Sequence, residues 1–308
     1  MNYLNLRFKK LLCAAVCSTL LFSCEKDSAE RQDLQATRKV DIQAQQSPSA
    51  SNAVFVQSYG SRPNGPYVST EFVSDHGGTG NAKSGNWSTS RCKIENGNFV
   101  VKLLANMVNW QGGLVAYSDI PNAANYEVKF NIKFSSGFNF QKGGKAGFGF
   151  GVGQVAAGGE GAKARSGAGG SYRLMWTNVG TQSGKFKFKP YAYFQSMTGD
   201  FGGEASSSEY PAGSGEIQSG VWYTVYMQIN MNSEGTANGK YIFDVWETDN
   251  KLATYKRVER TNINWASGAN RTVTQLMCDT FRGGAANDGY ESGSDGWISY
   301  DEVTVNNW

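Results

Sequence analysis

The chain has 308 residues, 40% hydrophobic and 18% charged, which excludes a disordered polymer and allows one large core. Its formal charge of +3 arises in residues 1–23, where Arg7, Lys9 and Lys10 face no acid, and the remainder is balanced. A balanced chain is not a general nucleic-acid binder, so any attraction for anions must be local. His76 is the single histidine, which excludes a multi-histidine metal site, and neither a metal nor a cofactor is expected.

The opening "MNYLNLRFKKLLCAAVCSTLLFSC" has a basic start, an apolar run from Leu11 to Phe22, and then Ser23 and Cys24. This predicts a secretory leader over residues 1–23. Leu21 and Ser23 before Cys24 resemble a bacterial lipobox, so cleavage before Cys24 and acylation there are expected to give a lipid-tethered chain. The expected location is the outer membrane, facing either the periplasm or the cell surface; an ordinary signal peptide is the alternative. Residues 24–53 are polar and poor in large apolar side chains, and are expected to form a flexible tether. Cys92 and Cys278 remain in the mature chain, where a disulfide and two buried free thiols both fit.

From residue 54 to 308 the texture becomes aromatic, β-branched and glycine-rich, as in one β domain. "YEVKFNIKF" sets Tyr126, Val128, Phe130, Ile132 and Phe134 on one face against Glu127, Lys129, Asn131 and Lys133. "FGFGV" alternates Phe148, Phe150 and Val152 with glycine. "VWYTVYMQINM" and "KYIFDVWET" read as strands joined by the hairpin loop "NSEGTANG". Many strands with glycine-rich turns predict an all-β fold, an antiparallel two-sheet β-sandwich of jelly-roll type.

Three segments carry candidate chemistry. "QKGGKAGFGFGVG" brings Lys142 and Lys145 to a strand with glycine at 147, 149, 151 and 153. Such a stripe marks close approach by a ligand or by the opposite sheet. In "GGSYRLMWTNVG", Tyr172, Leu174 and Trp176 read as core, which turns Ser171 and Arg173 to the other face. In "KFKFKPYAYFQ", Lys185, Lys187, Lys189, Tyr191 and Tyr193 share one parity, although Pro190 is expected to interrupt the strand. The plainer alternative there is a wet edge decorated with lysines. A face of cations, phenols and a hydroxyl suits an acidic polysaccharide.

These segments, with "GVWYTVYMQINMN" and "CDTFRGG…DGWISYDEVTV", resemble polysaccharide lyase family 14, with kinship to the glucuronan lyases, over roughly residues 51–308. The resemblance implies a jelly roll that cleaves alginate or glucuronate-containing chains by β-elimination. It implies catalytic roles for Lys145, Ser171, Arg173, Tyr191 and Tyr193. Gln111, Lys142, Lys187, Lys189 and Arg282 are further candidates to bind substrate. This chain departs from the family pattern at Ala146-Gly147, where Leu-Pro is usual, and at Arg282, where an aromatic is common. The glycine-rich insert "GQVAAGGEGAKARSGAGG" is expected to act as a lid.

β-Elimination removes the proton at C5 of a uronate and expels the oxygen at C4. Arg173 is the expected neutraliser of the carboxylate, Lys145 assists or acts as base, and Tyr191 or Tyr193 moves the proton. Ser171 is expected to orient substrate. The alternative function is a non-catalytic jelly roll that binds acidic polysaccharide. The expected partners are that polysaccharide and a membrane, the latter through the lipid, with no nucleic acid and a monomeric chain. His76, in "SDHGGTG", is expected to be a surface loop residue. Asp244, Glu247 and Asp249 spread over both strand faces, unlike a glycosidase pair, and "NDGYESGSD" is expected to be a solvated turn.

Overall fold

A computed structural model describes residues 52–78, 87–181, 183–203 and 208–308. The predicted leader, Cys24 and the tether as far as residue 51 lie outside the described residues. In chain order the strands are β1 (Asn52–Gln57), β2 (Gly65–Pro66), β3 (Cys92–Glu95), β4 (Asn98–Leu103), β5 (Leu114–Ala123), β6 (Asn125–Phe134), β7 (Gly143–Lys145) and β8 (Phe148–Gly153). They continue with β9 (Gly169–Thr177), β10 (Lys187–Tyr193), β11 (Trp222–Asn230), β12 (Gly239–Glu247), β13 (Lys256–Ile263), β14 (Val273–Arg282) and β15 (Gly296–Asn307).

These strands form two antiparallel sheets, the expected sandwich. The larger runs β13-β12-β11-β6-β15-β4-β3-β2, with β1 beside the second half of β15. The smaller runs β10-β9-β7-β14-β5, with β8 following β7 between β9 and β14. The alternating pattern of β6 is realised fully: Tyr126, Val128, Phe130, Ile132 and Phe134 are all 0% exposed. They face Phe148, Phe150, Tyr172, Leu174 and Trp176, each at most 1% exposed in the smaller sheet. Each such side chain contributes roughly 1.5–3 kcal/mol. Aromatic edges interlock between the layers, Phe130 on Phe148 at 5.3 Å and Phe134 on Trp176 at 5.4 Å.

Two local departures matter for the site. Strand "GGKAGFGFGVG" is broken into β7 and β8 at Ala146-Gly147, because Gly147 adopts φ +79° and a Cβ there would stand 2.7 Å from the Phe130 ring. Pro190, by contrast, does not interrupt β10. It pairs with Leu174 in an unbroken ladder, and β10 is the last strand of its sheet, where a missing N–H leaves no partner unpaired. The outer side of that edge is covered at two points, by Tyr210 bridging Phe188 and Gly203 bridging Ala192.

Candidate active site

Register brings the sequence candidates together. Tyr191 pairs with Arg173 and Tyr193 with Ser171 across β10 and β9, while Lys145 on β7 pairs with Met175. The core parity of Tyr172, Leu174 and Trp176 therefore turns Arg173 to the outer face of the smaller sheet, beside the two phenols. The Lys145 Nζ lies 3.7 Å from the centroid of the Tyr191 ring. The Arg173 guanidinium carbon lies 5.5 Å from each tyrosine ring, and the rings meet edge to face at 5.7 Å. Both cations are nearly buried, at 8% and 5% exposure.

Arg173 is not a lone charge. Its Nη1 donates to Asp279 Oδ2 at 2.8 Å, and Asp279, on β14, is as deeply buried as Arg173 itself. Burial works to lower the arginine pKa, but Asp279 and the two phenols raise it overall. Arg173 is thereby a fixed, fully charged fork. Asp279 escaped the sequence reading although it sits in the quoted "CDTFRGG". Its odd parity matches Met277 and opposes the core residues Leu276 and Cys278, which is the signal that was available.

The phenols differ in access. Tyr193 is 0% exposed and its oxygen accepts the Gly159 N–H at 3.0 Å. Tyr191 is partly exposed. Burial raises its pKa, and the neighbouring Tyr193 raises it further; Arg173 and the Gly202 N–H pull the other way. Gly202 packs against both rings, since a Cβ there would lie 2.8 Å from Tyr193 and 2.9 Å from Tyr191. Ser171 is fully buried, and its hydroxyl donates to the Ala156 carbonyl at 2.7 Å. It holds the glycine-rich insert to the sheet and, in this arrangement, has no face for a sugar.

That insert is a fastened wall over the Tyr193 end. It includes a short helix (Gly161–Arg165). Gly161 N–H donates to Asp200 O at 3.1 Å, and Arg165 pairs with Asp200 at 3.0 Å. Glu160 projects from it; burial opposes its ionisation, but Lys163, the Ala157 N–H and Arg173 hold its carboxyl below the usual range. The glycine stripe is filled by protein rather than left open. A Cβ at Gly149 would lie 2.3 Å from the Tyr172 carbonyl, and one at Gly151 would lie 2.7 Å from Val155.

The other candidates scatter. Lys187 is fully buried and donates to the carbonyls of Pro211 at 2.6 Å and Gly213 at 2.9 Å, so it locks the 210–215 segment onto the edge rather than facing substrate. Lys189, also expected on a wet edge, is 4% exposed. Arg282 is 1% exposed, its guanidinium directed at the carbonyls of Leu103 and Leu104 at 3.4 and 3.3 Å; burial lowers its pKa to about 10. Its even parity, shared with Cys278 and Thr280, turns it inward. Lys142 is exposed beside the Tyr290 ring, and Gln111 is exposed in a short helical turn (Asn109–Gly112).

Three further expectations are settled by burial. Cys92 and Cys278 are buried free thiols, not a disulfide. His76 is no surface residue: it is fully buried at the end of a helix (Ser69–Asp75). It hydrogen-bonds the Tyr59 hydroxyl at 2.9 Å and the Phe72 carbonyl at 2.6 Å, and burial lowers its pKa to about 4. Asp244 lies on the other sheet beside Arg257 at 3.6 Å.

Comparison with known proteins places the chain in a family and supports the fold. The model of polysaccharide lyase 14 matches residues 97–303. The structure of alginate lyase Aly36B is similar with a TM-score of 0.70 at 29% identity, covering 82% of this chain and 95% of that one. A variant of Aly36B in complex with an alginate tetrasaccharide matches at TM-score 0.71 and 29% identity, over 82% and 96% of the two chains. The marine PL-14 alginate lyase from Aplysia kurodai shares the fold, at TM-score 0.60 and 16% identity over 82% and 98%. None of the curated proteins matches the chain.

Proposed function

Because the chain belongs to polysaccharide lyase family 14 and is a lyase of acidic polysaccharides, we propose that it cleaves alginate by β-elimination on the outer face of the smaller sheet. The observation that carries this is the convergence of Lys145, Arg173 and a partly exposed Tyr191 on one face. Alginate is favoured over glucuronan by the likeness to Aly36B.

The reaction moves one proton from C5 to the O4 leaving group, breaks the C4–O bond and forms a C4=C5 double bond. Arg173, held by Asp279, and Lys145 offset the charge that builds on the uronate carboxylate as C5 loses its proton. Tyr191 reaches the sugar; its phenolate accepts the C5 proton and the phenol so formed donates that proton to O4, which balances the reaction. Tyr193 and Ser171 act from beneath, positioning Tyr191 and the insert. The test is a panel of alginate, glucuronan and a neutral glucan, followed by the ultraviolet absorbance of the conjugated product. Absorbance should rise on alginate with the wild-type chain and stay flat with Tyr191→Phe. A rise on glucuronan alone, or an active Tyr191→Phe, would overturn the assignment.

The same reading extends to location. The leader and Cys24 support a lipid-anchored enzyme of the outer membrane. Labelled palmitate should enter the wild-type chain and not Cys24→Ala; equal labelling of both would refute the anchor.

A further inference from the structure

The outer face of the larger sheet, on the far side of the core from Lys145 and Arg173, carries a second set of sugar-compatible groups. One cross-strand rung runs from Lys93 through Val100, Ser299 and Lys133 to Trp222, each residue paired with the next across β3, β4, β15, β6 and β11. Four strand spacings of about 4.8 Å make this rung about 19 Å long. Trp297 and Lys102 form a pair in the same ladder.

Above these residues lies an open cleft of about 470 Å³, lined by Lys93, Val100, Lys133, Ser136, Trp297 and Ser299, among others. Its lining is mainly polar, with Val100, 3% exposed, beneath the lysines and serines. Trp297 keeps 37% of its surface exposed, and Trp222 at the end of the rung is partly exposed as well. Lys133 Nζ stands 4.6 Å from the Trp222 ring, and Lys102 Nζ 5.6 Å from the Trp297 ring. Glu95 sits at the cleft and pairs with Lys93 at 2.6 Å, which leaves two lysines against one carboxylate in the lining.

We infer that this cleft is a second binding site for an acidic polysaccharide chain, separate from the catalytic face. The apolar side of a pyranose ring stacks on Trp297, its hydroxyls meet the serines, and the carboxylates of successive residues meet Lys133 and Lys93. The ligand class rests on the enzyme's reading as a lyase of acidic polysaccharides. A single stretch of polymer does not reach both faces of a sandwich without wrapping it. The site therefore grips a second stretch or a second chain, and holds the enzyme on its polymer between cuts by raising the effective concentration of substrate.

The test is retardation of the full chain in native gels containing alginate, with a neutral glucan gel as control. It is run in the Tyr191→Phe background so that the polymer stays intact, and beside cleavage assays of the parent. Trp297→Ala and Lys133→Glu should each weaken retention by alginate about tenfold. In the active parent they should lower kcat/KM on polymer more than on trisaccharide. Unchanged retention in both variants overturns the second site, even if the parent cleaves alginate. Equal retention by the neutral glucan overturns the acidic ligand class. Retention that depends on Trp297 in a parent that cleaves no uronate polymer upholds this site and overturns only the reading of the catalytic face.

Discussion

Removing Asp279 is expected to unfold the site before it silences it. The Arg173 and Asp279 side chains are 6% and 3% exposed, and their charged atoms meet at 2.8 Å. Asp279→Ala would leave the guanidinium buried without its counter-charge, a change that costs about 3–5 kcal/mol in comparable buried pairs. For a domain of this size that lowers Tm by about 6–20 °C. The pair is itself incompletely satisfied, since Arg173 Nε and Asp279 Oδ1 have no hydrogen-bond partner among the described residues. Replacing both with apolar groups, Arg173→Met with Asp279→Leu, should therefore recover most of the lost stability. It should not recover turnover, because the fixed cation is gone. Thermal melts by circular dichroism give the stability, and the absorbance of the unsaturated product gives the turnover. An Asp279→Ala melt within about 1 kcal/mol of wild type would refute the burial argument. So would a double variant no more stable than Asp279→Ala.

Burial and Tyr193 hold the Tyr191 pKa up, so its phenolate is scarce at neutral pH and kcat/KM should climb as pH rises above 7; a flat or falling limb would show that Tyr191 acts only as a proton donor. His76 is held near a pKa of about 4 by burial, against about 6.5 when unfolded. The unfolded chain thus binds the proton first, and the stabilisation present above pH 6.5 should be lost as pH falls from about 6.5 to 4. His76→Gln should remove that slope in urea midpoints, and parallel curves would contradict the assignment. Gly202→Ala puts a methyl group 2.8–2.9 Å from both tyrosine rings. It should lower kcat/KM on the order of 10²-fold through misplaced phenols, and a wild-type rate would show that the rings do not need that contact.

The strands were legible wherever one face is buried, because alternation of period two has a single physical cause. The β6 pattern and the Tyr172, Leu174, Trp176 set read correctly for that reason, and the outward turn of Arg173 followed from them. What failed depended on chain segments far away in sequence. Parity grouped Lys187 with Tyr191, but the carbonyls of Pro211 and Gly213 enclose it. Ser171 had the right face, yet Ala156 from the insert claims its hydroxyl. His76 looked like loop because glycines follow it, whereas the helix before it packs the ring against Phe72 at 4.3 Å and Phe148 at 5.3 Å. Asp279 meets Arg173 across 106 positions, and no local pattern announces that pair.

The most direct measurement is a crystal structure of the Tyr191→Phe chain with an alginate oligosaccharide. A uronate carboxylate is expected against Arg173 or Lys145, with C5 about 3–3.5 Å from where the Tyr191 oxygen would stand. An oligosaccharide seated on that face with every C5 turned away from position 191, or seated elsewhere with the face empty, would contradict it.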